Sequence, residues 1–114
     1  MAKVLGVHEV ELSADGDPAE FERLAAAAMA EAVPDGMNVR LFKADRGVRN
    51  GRYLILIELD SVEDRNRIFP VEDEDGAEML AFFEAHPTSD KAWDRFRGYT
   101  PFSGTATDYV EVTR

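Results

Sequence analysis

Residues 52–60 (Arg-Tyr-Leu-Ile-Leu-Ile-Glu-Leu-Asp) place Tyr53, Ile55, Ile57 and Leu59 on one side of an extended chain and Leu54 and Leu56 on the other. A strand that is apolar on both faces must be covered on both. A chain of 114 residues supports one hydrophobic core, so its own helices cover only one face of a sheet. The second face predicts a partner, and a twofold homodimer joined sheet to sheet is the simplest one. Each Leu or Ile buried by such pairing is worth about 1.5–3 kcal/mol before the cost of association. The opposing expectation is a wet face, because Glu9, Glu11, Arg40, Glu58 and Glu111 also fall on strands.

The other elements follow from periodicity and punctuation. Residues 4–12 alternate imperfectly, with Val4, Gly6, His8, Val10 and Leu12 on one side and Leu5, Val7, Glu9 and Glu11 on the other. Asp17-Pro18-Ala19-Glu20 is a helix start in which Asp17 caps, Pro18 brings a preset φ, and Glu20 is placed to close a capping box. Phe21, Leu24, Ala25, Ala28, Met29 and Ala32 recur at helical spacing until Pro34-Asp35-Gly36. Residues 37–44 form a second strand, joined through a polar loop at 45–51 to the strand at 52–60 as a hairpin. Ser61 caps a further helix that Pro70 limits to about two turns. After an acidic loop at 72–76, a helical pattern over 77–85 stops at His86-Pro87. A last helix starts at Ser89 or Asp90 and ends at Arg97, and residues 108–113 close the chain as a fourth strand with Val110 and Val112 on one face. The order is β-α-β-β-α-β with the second helical region segmented. It predicts an α+β, ferredoxin-like fold in a single domain over residues 1–114, with a four-stranded antiparallel sheet whose first and third strands are central.

Composition removes several function classes. The net charge of −10 and pI near 4.5 repel phosphate backbones and anionic lipid, so neither nucleic acid nor a membrane is an expected partner. The absence of cysteine removes disulfides, thiolate catalysis and thiolate metal sites. The start, Met1-Ala2-Lys3-Val4, enters a strand without the apolar core of a signal peptide, which predicts a cytoplasmic location. The glycines around Val48-Arg49-Asn50 lack the Lys-Ser/Thr of a phosphate loop, and the acidic loop lacks the ligand spacing of a calcium loop.

The element order, the strand-then-helix segment GRYLILIELDSVEDRNRIFP and the closing DYVEV resemble the dimeric α/β-barrel superfamily over essentially the whole chain. That group includes antibiotic-biosynthesis monooxygenases, haem-degrading monooxygenases, muconolactone isomerases and stress-responsive barrels such as a polyketide cyclase. The resemblance implies the fold and a homodimer through the sheet face, and leaves the chemistry open. The longer, broken second helical region departs from the compact members.

His8, mid-strand beside Gly6, is the first catalytic candidate, since an imidazole of ordinary pKa about 6.5 transfers protons near neutrality. A core histidine satisfied by a neighbour is the plainer alternative. Tyr53 is the candidate partner as a phenol donor. Phe83, Trp93, Phe96 and Tyr99 are candidate walls of a pocket for a small apolar ligand between the segmented helices and the sheet, although the same spacing suits plain core packing. No metal or cofactor is expected, and a lone His86 at a helix end makes no haem site. Two function classes follow. One is a cofactor-independent enzyme, monooxygenase-, isomerase- or cyclase-like, acting on a small aromatic or polyketide-like molecule. The other is a noncatalytic ligand-binding or assembly module.

Overall fold

The structure, a computed structural model, describes residues 2–71, 75–99 and 102–112. The chain runs β1 (Val4–Leu12), α1 (Pro18–Met29), β2 (Met37–Lys43), β3 (Tyr53–Leu59), α2 (Val62–Ile68), α3 (Ala77–Ala85), α4 (Pro87–Arg97) and β4 (Phe102–Val110). The strands make one antiparallel sheet in the order β2-β3-β1-β4, which puts the most apolar strands in the middle. This is the ferredoxin-like fold with its second helix divided into three.

Local chemistry accounts for the helix boundaries. Asp17 caps α1 by accepting from the backbone N–H of Ala19, and Pro18 takes the first position. Glu20 does not close the capping box, because its carboxylate is held by Arg23 one turn on. Ser61 caps α2 by accepting from the Asp64 N–H at 3.1 Å. Hydrogen bonding to Arg67 holds the Asp64 carboxyl below its usual range, and Ser61 adds to the same effect. Pro87 ends α3 and also opens α4, which therefore starts ahead of the expected Ser89 or Asp90. Ser89 is instead buried inside α4 and donates to the Ala32 carbonyl at 2.8 Å, tying this helix to the segment after α1, which ends at Met29 and does not extend to Ala32.

The helices lie on one face of the sheet, and the core beneath them is split. One cluster surrounds Phe21 with Val10, Leu24, Ala25, Ala28, Tyr53 and Phe96. The other joins Val4 and Leu59 to Ile68, Met79 and Phe83. On β1 the division falls between Val4 and Val10, at Gly6 and His8. Helix α1 lies against β2, α2 lies against β3, and α4 is carried mainly by α1 and α3.

Strand β4 corrects the sequence reading. It spans Phe102–Val110 rather than 108–113 and pairs with β1 from Val4↔Val110 to Leu12↔Phe102. Val112 lies beyond it and is almost fully exposed. Residues 104–110 are all exposed, so this strand is defined by its hydrogen bonds to β1 and not by burial. Glu72, Asp73, Glu74 and Thr113, parts of the expected acidic loop and last strand, lie outside the described residues.

The face away from the helices carries Leu5 and Val7 of β1, Leu54 and Leu56 of β3, Phe42 of β2 and Tyr109 of β4. Ion pairs ring this apolar patch: Arg49 with Glu9 at 3.3 Å, Arg52 with Glu11 at 3.5 Å, and Lys3 and Arg40 both with Glu58. No helix covers it. Among the described residues no helix is long and apolar enough to cross a membrane.

Candidate functional site

The cross-strand register sets the geometry of the helix-facing side of β1 and β4. His8 stands opposite Ile55 on β3 and Ala106 on β4, and Gly6 stands opposite Ile57 and Asp108. Side chains on this face are therefore minimal at Gly6, Gly104 and Ala106, and residues 104–110 of β4 are exposed. The result is a seam along β1 and β4, with half-buried His8 in its wall and the split in the core behind it. We call this the β1–β4 seam.

Trp93 of α4 spans that split, packing against both clusters. Its indole Nε1–H is buried and has no hydrogen-bond partner among the described residues. A buried N–H left unpaired costs about 1–3 kcal/mol, so its surroundings call for an acceptor. His8 likewise makes no side-chain hydrogen bond among the described residues. An imidazole uncommitted to the described residues thus stands on a stretch of sheet floored by glycine and alanine, and an unpaired donor lies where the two core clusters meet.

The other sequence candidates have structural partners. Tyr53 is buried against Phe21, with ring centroids 4.8 Å apart, and its hydroxyl donates to Glu22 at 2.5 Å. Burial, reinforced by that hydrogen bond and by the charge of Glu22, pushes the Tyr53 phenol up to about 12. The same hydrogen bond, helped by Lys43 at 3.5 Å, holds the Glu22 carboxyl below its usual range. Phe96 is buried in the Phe21 cluster. The Tyr99 hydroxyl accepts from the Asp17 N–H at 2.6 Å and donates to the Asp17 carbonyl at 3.3 Å, which pins the segment after α4 to the start of α1. Phe83 belongs to the other cluster, under the Arg97 guanidinium 5.4 Å from its ring. His86 stacks on Phe82 at 4.0 Å and bonds through Nδ1 to the Phe82 carbonyl. The structure thus gathers Tyr53, Phe96 and Tyr99 around Phe21, sets Phe83 in the other cluster with Trp93 between the two, and leaves His8 on the seam.

The raised Tyr53 value has a testable consequence. The neutral phenol is favoured in the folded state, so its contribution is complete below pH 10 and is lost as pH rises from 10 through about 12. Denaturation between those pH values should show the wild-type protein losing about 2–3 kcal/mol more than Tyr53→Phe. Equal losses in the two proteins would mean that Tyr53 titrates alike folded and unfolded.

Two surface clefts flank the C-terminal end of β2, and Phe42, Lys43 and Tyr53 line both. One, of about 440 Å³, opens on the helix-free face beneath the β2–β3 hairpin between Glu9, Glu11, Arg49, Arg52 and Leu54. The other, of about 630 Å³, lies along the free edge of β2 beside Glu22, Ala26 and Met29 of α1. His8 lines neither of them. Among the described residues no group of three or more His, Asp or Glu side chains is placed to hold a metal ion.

Sequence reasoning missed Arg65 and Asp108. Arg65 Nη1 donates to Asp108 Oδ2 at 2.8 Å, bridging α2 to β4 across the seam. A Cβ added at Gly6 would stand 3.3 Å from Asp108 Oδ1, so this carboxylate lies back over Gly6. The signal was present in Gly6 but could be used only once 102–110 was known to be a strand in register with it.

No family model matches this chain, and no curated protein matches it. Solved structures do. A dimeric ferredoxin-like protein of unknown function from Thermobifida fusca YX aligns over 96% of this chain and 92% of its own, with 12% identity and a TM-score of 0.54. A candidate antibiotic biosynthesis monooxygenase from Bordetella bronchiseptica aligns over 100% and 99%, with 16% identity and a TM-score of 0.50. SnoaB, a cofactor-independent oxygenase from Streptomyces nogalater, aligns over 98% and 93%, with 16% identity and a TM-score of 0.46. The first two likenesses establish the ferredoxin-like fold.

Proposed function

We propose that this protein is a homodimeric, cofactor-independent enzyme that binds a flat aromatic or polyketide-like molecule in the β1–β4 seam and removes a proton from it through His8. The buried, unpaired Trp93 Nε1–H carries the reading, because a carbonyl or phenol oxygen of a bound ligand would satisfy it. His8 is the base, and the Trp93 N–H stabilises charge developing on the ligand oxygen. Tyr53, its proton engaged by Glu22, keeps the α1 end of the pocket in shape, with Phe96 and Tyr99 beside it and Phe83 at the far end. The resulting carbanion or enolate closes on a carbonyl in a cyclase, takes its proton back elsewhere in an isomerase, or reduces dioxygen in an oxygenase. In the last case a methylene and O₂ become a ketone and water. The name of the Bordetella bronchiseptica fold neighbour favours the oxygenase.

The uncovered apolar face supports the homodimer, since sheet-to-sheet pairing would cover Leu54, Leu56 and their neighbours. The Thermobifida fusca fold neighbour, described as dimeric, agrees with it. The competing noncatalytic module draws on the engagement of Tyr53 by Glu22, which leaves one candidate fewer for chemistry.

An anthrone in aerated buffer tests the proposal, with oxygen uptake and quinone absorbance followed together. Wild-type protein should accelerate the reaction, and His8→Ala should slow it by about 10²-fold or more while the fold is retained. Anthrone binding without turnover, unchanged in His8→Ala, would leave the noncatalytic module standing instead.

A further inference from the structure

We infer that the ligand of the seam is an acid, and that Arg65 reads its carboxylate. This rests on the seam being the binding site and adds the class of molecule it takes. Three arginines of the helical layer cross between elements, and they are not equally satisfied. Arg67 meets two carboxylates, Asp64 and Glu78, and Arg97 also meets two, Asp75 and Asp94. Arg65 meets one, Asp108, and its Nε donates to the neutral Asn66 Oδ1 at 2.8 Å. Its Nη2 has no partner among the described residues. Yet its side chain is 25% exposed, against 42% for Arg67 and 45% for Arg97, so the arginine with the fewest anions is the one most withdrawn from water.

Its position makes that deficit usable. The Arg65–Asp108 pair lies over Gly6, and the next residue on the same face is His8, roughly 7 Å further along the strand. Asp108 and Asn66 fix the guanidinium through Nη1 and Nε, which leaves the Nη2 edge for a carboxylate oxygen. A carboxylate seated there would give Arg65 the two-anion environment of Arg67 and Arg97. An aromatic ring carrying it would extend along the glycine and alanine floor towards His8. The net charge of −10 disfavours any anion that binds without such a contact, so a preference for acids would be local in origin.

The test compares 6-hydroxy-2-naphthoate, here called naphthoate, whose phenol oxygen can reach the Trp93 N–H, with its neutral methyl ester, by fluorescence titration of the full-length protein at neutral pH and low salt. Naphthoate should bind about tenfold more tightly than the ester, the worth of one charge-assisted hydrogen bond. Arg65→Gln should abolish that difference by weakening naphthoate alone, Arg65→Lys should keep part of it, and Trp93→Phe should weaken both probes. Equal or tighter binding of the ester by wild type overturns the inference while leaving the seam as a binding site, and needs no variant to fold. Equal weakening of both probes by Arg65→Gln also overturns it. Binding of neither probe, or binding unaffected by Trp93→Phe, overturns both the inference and the seam.

Discussion

Leu56→Asp is expected to convert the proposed dimer to a monomer without unfolding the chain. Leu56 sits mid-strand on β3, facing away from the helices, with Val7 of β1 on one side and Arg40 of β2 on the other. In the isolated chain its side chain points towards solvent, so an aspartate there meets no core residue and the monomer keeps its fold. In the proposed dimer the same position lies in the apolar patch bounded by the ion pairs of Glu9, Glu11 and Glu58. Each protomer loses about 2 kcal/mol of leucine transfer energy and has a carboxylate to desolvate. Twofold symmetry counts the change twice. A loss of more than about 4 kcal/mol corresponds to a dissociation constant raised at least 10³-fold. Sedimentation equilibrium of the two proteins, with circular dichroism of each, is the measurement. A wild-type protein that stays monomeric at high micromolar concentration would refute sheet-to-sheet pairing.

The inference behind that prediction came from the sequence because β3 states its environment plainly. Tyr53, Ile55, Ile57 and Leu59 alternate with Leu54 and Leu56, and the structure gives each set its own face. Helix α1 was equally legible, since Asp17 and Pro18 are local signals and Phe21, Leu24, Ala25 and Ala28 form its buried stripe. Strand β4 was not. Gly104, Thr105, Ala106 and Thr107 are small or polar and exposed, so no hydrophobic period marks them, and only pairing with β1 makes them a strand. The start of α4 was misplaced for a different reason: Pro87 serves two helices, and its role as a stop hid its role as a start.

The site divides in the same way. His8 was visible because a titratable residue on an apolar strand beside glycine is unusual on its own strand. The unpaired Trp93 N–H was not visible, because whether an indole finds an acceptor depends on how α4 lies over two clusters at once. Nor was the Arg65–Asp108 pair, which joins residues 43 positions apart through a strand the sequence did not announce. Local chemistry survives translation into sequence, whereas chemistry assembled across the sheet does not.

Phe21→Ala should be the most damaging single substitution in the core. Phe21 is fully buried, and its ring meets Tyr53 at 4.8 Å, Phe96 at 5.5 Å and Tyr99 at 6.0 Å. One side chain of α1 therefore ties together β3, α4 and the segment after α4. Removing it forfeits the transfer energy of a buried aromatic ring and leaves a void among three rings, none free to collapse inward. Tyr53 is held by Glu22, Tyr99 is held by the backbone of Asp17, and Phe96 is fixed by its place on α4. Substitutions of this kind cost about 3–5 kcal/mol, and a site that relaxes poorly falls at the upper end. For a chain of this size each kcal/mol lowers the melting temperature by about 4–6 °C, so a fall of roughly 15–25 °C is expected. Phe21→Leu, which refills much of the volume, should recover at least half of it. Calorimetry of the three proteins at one concentration decides the matter. A fall of only a few degrees for Phe21→Ala would mean that the three rings do close over the gap, and that the helical layer is less tightly fixed to the sheet than its hydrogen bonds imply.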